Sequence, residues 1–209
     1  MADEMGVFET IYHCRAMRRL KPDPVPEDLL LRLIDAANQA PTGSNVQGAR
    51  WIVVRDAEQR AKFAELNRKA VTAYVGPQSG RPAALPHQAA DKRQRMLDAV
   101  LWQADNLQHI PALIIACYRF DEPVPQGGAT RAGGSIWPAV QNLLLAARAL
   151  GLGTVLATPH FFVPGAMEAI LGAPSDVTIA AALPVGYPKG NFGPTKRPAA
   201  ERVVSWDRF

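Results

Sequence analysis

The sequence predicts a single α+β domain of 209 residues, and three observations predict it. Hydrophobic residues make up 48% of the chain, enough for one sizeable core without disulfide or metal staples. Several segments repeat apolar residues at helical spacing, and short β-branched or continuously apolar runs lie between them. No internal repeat, low-complexity tract or domain boundary interrupts the order. The domain is therefore expected to span residues 1–209, with residues 186–209 forming a C-terminal arm.

The elements follow in order. The amphipathic start "MADEMGVFETIY" predicts a helix ending near Arg15. "KPDPVPEDLLLRLIDAANQA" opens with prolines and acids and then places Leu30, Leu33, Ile34 and Ala37 on one helical face. "RWIVVRD" reads as a strand, and residues 58–70 as a helix with Phe63, Leu66 and Ala70 on one side. The Pro/Gly-rich residues 76–87 lack periodicity and read as a loop long enough to act as a lid. Met96, Val100, Leu101, Ala104 and Leu107 mark another helix, "ALIIACYRF" a buried strand and "EPVPQGGATRAGG" a loop. Residues 135–150 form a helix apolar on nearly every side, hence central, with Gly133 and Gly134 before it and Ser135 as its cap. "GLGTVLAT" predicts a strand, residues 165–171 a short helix and "VTIAAALPVGYP" the last buried strand. The arm is rich in Gly, Pro, Lys and Arg, and then "ERVVSW" regains strand character. A strand delivered on an arm after the core is complete suits exchange onto a second subunit.

Composition excludes several classes. Cys14 and Cys117 are far apart and outside any ligand spacing, so free thiols in a reducing, cytoplasmic setting are expected rather than a disulfide or zinc framework. The N-terminus lacks the basic start and apolar run of a signal peptide. The most apolar region, residues 136–157, is broken by Gln141, Asn142, Arg148 and two glycines, which argues against a membrane span. A net charge of +4 invites nucleic acid, but no basic run with interleaved aromatics supports it. The cations gather instead at Arg15, Arg18 and Arg19 and at Lys196 and Arg197, enough for a small phosphorylated ligand.

The series "RAMRRL", "APTGSNVQ", "WIVV", "GGSIWPAVQN", "GLGTVLAT", "LPVGYP" and "KRP", in that order, resembles the nitroreductase family from about Ile11 to Trp206. No single motif is diagnostic; the order carries the likeness, which is weakest over residues 71–92. The resemblance implies a mixed central sheet flanked by helices, a C-terminal strand exchanged in a homodimer, and bound FMN with NAD(P)H as hydride donor. Within it, Arg15, Ala16, Arg18 and Arg19 correspond to the segment that binds the FMN phosphate and ribityl chain. Ala16 replaces the usual Ser and removes a hydroxyl contact, while Cys14 stands where many members carry another Arg. Taken alone, these arginines read as a solvated basic helix end. Lys196 and Arg197 fit the C-terminal phosphate cations.

The resemblance places Pro41, Thr42, Gly43, Asn45 and Gln47 against a flavin bound mainly to the other subunit. The chemistry agrees, since an isoalloxazine edge carries donors and acceptors that Asn45 can match and Gly43 permits close backbone approach. A plain helix-to-strand turn is the competing reading. Gly48 and Ala49 replace the family's usual Pro-Trp, which implies a wider substrate pocket. Ser135 begins a helix that approaches the partner's flavin, with Ile136 and Trp137 as possible walls or simple core. Leu156, Ala157 and Thr158 are carried over as the backbone facing the flavin ring; "GLG" itself lacks a dinucleotide fingerprint. Asn67 is a candidate near the pyrimidine, and His160 with Phe161 a candidate border of the substrate.

The implied reaction is ping-pong reduction of nitro, quinone or other conjugated acceptors, small molecules in each case. No side chain is assigned as catalytic acid or base, because the cofactor carries that chemistry. His13, His87, His109 and His160 lack the partners of a triad. A flavin-sequestering protein, or a specialised relative without reductase turnover, is the alternative reading.

Overall fold

The computed structural model describes residues 5–76, 90–125 and 127–209. Ten elements carry the fold. They are α1 (Val7–His13), α2 (Glu27–Asn38), β1 (Ala49–Val54), α3 (Ala57–Val75), α4 (Ala90–Asn106), β2 (Ala112–Arg119), α5 (Gly128–Ala149), β3 (Gly153–Thr154), α6 (Ala166–Leu171) and β4 (Val177–Gly186). The strands form one sheet in the order β1-β2-β4-β3.

The two inner strands explain why the sheet is sandwiched. β2 is buried along nearly its whole length. Its alternate residues Ala112, Ile114, Ala116 and Tyr118 join one core with Leu30, Leu33, Ile136, Val140 and Leu143 from α2 and α5. Leu113, Ile115 and Cys117 face the opposite core with Phe63, Leu66 and Met167 from α3 and α6. A strand apolar on both faces must be covered on both, and each fully buried Leu or Ile contributes about 1.5–3 kcal/mol relative to exposure. Cys117 pairs with Ile179 while Ala116 pairs with Ala181, so Ala180 is an extra residue in β4. This bulge lets Ala180 join the α2/α5 core beside Ala181.

Local signals set the helices. Acids Glu27 and Asp28 occupy the first turn of α2 and favour the positive helix end. Asp56 caps α3, its carboxylate accepting from the Gln59 N–H at 2.9 Å. The lid expected at residues 76–87 lies, apart from Gly76, outside the described residues.

Three expectations are revised. α5 begins at Gly128, seven residues before Ser135, so Gly133 and Gly134 are helical and Ser135 is an interior residue rather than a cap. The strand foreseen in "GLGTVLAT" shrinks to Gly153–Thr154 and one bridge, Ala157 to Ala182. The sequence "ERVVSW" forms a 3-10 turn at Ala200–Arg202 followed by exposed Val203, Val204 and Trp206, with no strand pairing in this chain. All four strands pair antiparallel, so any parallel pairing of a mixed sheet would have to come from outside them. Among the described residues no helix is long and apolar enough to cross a membrane.

Candidate functional site

The site grows from the chain that follows α1. Segment 17–21 lies along the β3 end of the sheet: the Met17 N–H donates to the Thr154 carbonyl at 2.9 Å and the Lys21 N–H to that of Tyr187 at 2.7 Å. Gly153 makes the close approach possible, because a Cβ there would lie 2.6 Å from Leu20 Cδ2 and 3.0 Å from Met17 Cβ. The arm then returns over the same segment. The Lys189 N–H donates to the Arg19 carbonyl at 2.9 Å and the Thr195 N–H to that of Tyr12 at 2.8 Å.

Two cavities open between these strips. The first, about 690 Å³, is walled by Arg15, Arg18 and Arg19, by Lys92 and Arg95 of α4, and by Lys196 and Arg197 of the arm. Among the described residues seven cations therefore line it, and no carboxylate does. The second, about 540 Å³, shares Arg15, Ala16, Arg18, Thr195 and Arg197 with the first and continues to Thr154, Leu156, Arg148 and Phe192. Both are in the range of small-molecule sites. Burial pushes the Arg18 guanidinium below the usual arginine range, with nearby Tyr74 opposing the shift. A cation held in a partly desolvated place gains more from an anionic ligand than one in open solvent.

Two residues that line the second cavity, Thr154 and Arg148, each bury a polar atom that has no partner among the described residues. Thr154 is buried and its hydroxyl has no partner, and the buried Nε of Arg148 likewise has none. The Arg148 guanidinium lies over the Phe192 ring at 4.2 Å. Cys14 also lines this cavity; its Sγ donates weakly to the Leu144 carbonyl at 3.6 Å. Burial raises the Cys14 thiol, with Arg148 pulling the other way, so it stays protonated at neutral pH.

The expected residues divide into two sets. Arg15, Ala16, Arg18, Arg19, Lys196 and Arg197 converge on the first cavity and Leu156 lines the second. The arginines do so from an extended segment rather than a helix end, since α1 stops at His13. Ala157 instead faces a small closed space shared with Asn67 and Gln103, and Thr158 lines neither large cavity. Pro41, Thr42, Gly43, Asn45, Gln47 and Ser135 also stand outside both.

The turn at residues 42–47 is built with care. Ser44, Asn45 and Gln47 have φ of 49°, 54° and 53°, a left-handed conformation uncommon for non-glycine residues. It is held by the Gly43 N–H donating to Ser135 Oγ at 3.0 Å, the Gln47 N–H to Thr42 Oγ1 at 3.1 Å, and Gln47 Nε2 to Asn45 Oδ1 at 3.2 Å. Ser135 thus anchors the turn to α5. Gly48 has a local reason: a Cβ would lie 2.6 Å from the Tyr118 ring and 2.8 Å from the Arg119 carbonyl oxygen. Ile136 is fully buried core, whereas Trp137 is partly exposed.

Sequence reasoning missed Thr154, Arg148, Lys92 and Arg95. The last two are three apart on one helix, a visible basic pair. Thr154 and Arg148 carried no such signal, because their importance depends on what the fold leaves without a partner.

Comparison with known proteins places the chain in a family. The Nitroreductase family model matches residues 11–187. The chain is 33% identical over 199 residues to an NADH dehydrogenase of Thermus thermophilus, covering 92% of this chain and 91% of that protein. It is 29% identical over 195 residues to an iodotyrosine deiodinase of Thermotoga neapolitana, covering 93% and 94% respectively. Among solved structures, an oxidised iodotyrosine deiodinase bound to FMN and 3-iodo-L-tyrosine superposes with a TM-score of 0.74 at 24% identity, covering 98% of this chain and all of that one. With the match spanning the arginine segment, the turn, the central helix and the last strand, this chain belongs to the nitroreductase family.

Proposed function

We propose that the protein is an FMN-dependent oxidoreductase that takes hydride from a nicotinamide nucleotide and reduces nitro, quinone or other conjugated acceptors. One observation carries this reading: a cavity lined, among the described residues, by seven cations and no carboxylate adjoins a second with which it shares Arg15, Arg18 and Arg197. The residues fit FMN. Arg15, Arg18 and Arg197 border both cavities and suit a phosphate dianion. When bound, FMN supplies reversible hydride acceptance. The chain's own groups anchor the phosphate, keep positive charge nearby and shape the opening through which donor and acceptor alternate. No side chain of the two cavities is assigned as an acid or base.

The reading includes a homodimer. The turn at Pro41–Gln47 stands away from its own cavities, yet it presents Asn45 in a strained, pre-set conformation. This suits contact with a flavin on a second copy. Exposed Val7, Phe8 and Tyr12 of α1 and Trp206 and Phe209 of the arm provide apolar surface for that copy to cover.

Anaerobic mixing of the purified protein with NADPH or NADH tests the reading. A yellow protein whose visible absorbance bleaches, and recovers on adding a nitroaromatic or quinone, is expected. Yellow protein that neither nucleotide bleaches overturns the reductase reading in favour of flavin sequestration; colourless protein that takes up no FMN overturns both. The deiodinase relative makes an iodinated tyrosine a useful third acceptor, and its selective turnover would replace the nitro and quinone assignment.

A further inference from the structure

The basic cavity carries more positive charge than one flavin phosphate uses. Seven cations against a dianion, with no carboxylate in the wall among the described residues, leave a strong surplus. The surplus is also divided in space. Arg15, Arg18 and Arg197 are shared with the second cavity, and of these Arg18 is the partly buried one. Arg19, Lys92 and Arg95 border the first cavity alone and are exposed. A resident cofactor that reaches into both cavities suits the shared set, centred on half-buried Arg18, and a ligand that enters and leaves each turnover suits the exposed cations at the first cavity alone. Resting on the oxidoreductase reading, we propose that Arg19, Lys92 and Arg95 hold the 2′-phosphate of the hydride donor, so that the protein prefers NADPH to NADH.

The three cations have few competitors. Arg95 is paired with Asp91 at 2.9 Å, but both side chains are more than 60% exposed, and such a surface pair is worth little against a dianion. The Arg19 backbone is fixed by Lys189, which holds its side chain at the cavity rim. Lys189 itself stands over the Trp102 ring of α4 at 4.8 Å, tying the arm to the helix that supplies Lys92 and Arg95. A charge-assisted contact of about 1.5–3 kcal/mol corresponds to roughly tenfold to 150-fold in affinity, which sets the expected preference.

Two measurements on the FMN-loaded protein test the proposal. Calorimetric binding of 2′,5′-ADP is expected to be at least about tenfold tighter than that of 5′-AMP. In a Lys92→Gln/Arg95→Gln variant that retains flavin, the ratio should fall toward one. Stopped-flow reduction should show the same preference for NADPH over NADH in apparent Kd, and the same collapse. Equal binding of the two adenine nucleotides, or a preference that survives the double substitution, overturns the proposal. Loss of binding for an anionic acceptor but not for NADPH in the variant also overturns it, by assigning these cations to the acceptor. Failure of both nicotinamide nucleotides to bleach the flavin sinks the oxidoreductase reading instead, while the adenine-nucleotide ratio still decides the phosphate site.

Discussion

Arg18 sits where the two cavities meet and is the cation that burial perturbs, so its loss should be felt most by the flavin. Arg18→Ala is expected to weaken FMN binding about tenfold to a hundredfold, measured by fluorescence titration of the apoprotein, while an Arg19→Ala variant changes it little. Similar losses from both substitutions would show that the exposed and desolvated cations act alike. At this scale the sequence was a good guide to charge and a poor guide to need. Arg15, Arg18, Lys196 and Arg197 were legible because phosphate recognition demands guanidinium and ammonium groups. Thr154 was not, since a threonine in a strand looks the same whether or not the fold leaves its hydroxyl unpaired. Gly48 was read as a departure that widens a pocket. Its place against Tyr118 and the Arg119 carbonyl gives it a steric reason instead.

Among the elements, the 3-10 turn at Pro159–Phe161 and α6 enclose an unusual pair. Both ring nitrogens of His160 and Oε2 of Glu168 are buried without partners. Burial holds the His160 pKa below its ordinary 6.5, and the Glu168 charge only partly offsets this. The folded state therefore binds fewer protons than the unfolded state between the depressed folded value and 6.5. Stability from this group is complete above 6.5 and is lost as pH falls below it, until the folded value is passed. The urea midpoint is expected to drop between about pH 7 and about pH 5.5, and His160→Gln to flatten that slope. An identical slope in the variant would assign the acid sensitivity elsewhere. The elements themselves were mostly legible: α2 has its apolar face at Leu30, Leu33 and Ala37, and β2 is one apolar run. α5 was not, because the glycines at 133 and 134 signal loop locally, while the buried contacts of Ala132 and Ile136 draw them into the helix.

At the level of the whole molecule, the arm is the feature whose meaning exceeds one chain. It packs back over Tyr12 and Arg19 and brings Lys196 and Arg197 to the basic cavity, but beyond Pro198 it exposes Val203, Val204, Trp206 and Phe209. Deleting residues 199–209 is expected to lower dimer content in analytical ultracentrifugation and flavin retention together. A flavin-loaded monomer with unchanged FMN content would refute strand exchange as a condition for binding. "ERVVSW" thus has strand composition without a strand here, and that composition suits pairing with the sheet edge of a second copy.

By itself the sequence determined the class of the fold, the order of its helices and inner strands, and which cations are candidates for a phosphate site. Each of these follows from local periodicity or side-chain charge. Tertiary structure alone decided that the arginines reach the cavity from an extended strip and that Ser135 anchors the strained turn rather than capping a helix. It also decided that Lys92 and Arg95 complete the basic wall. The reason is physical: which groups converge, and which are left without partners, depends on distances between residues remote in sequence, and those are fixed only when the two faces of the sheet are packed.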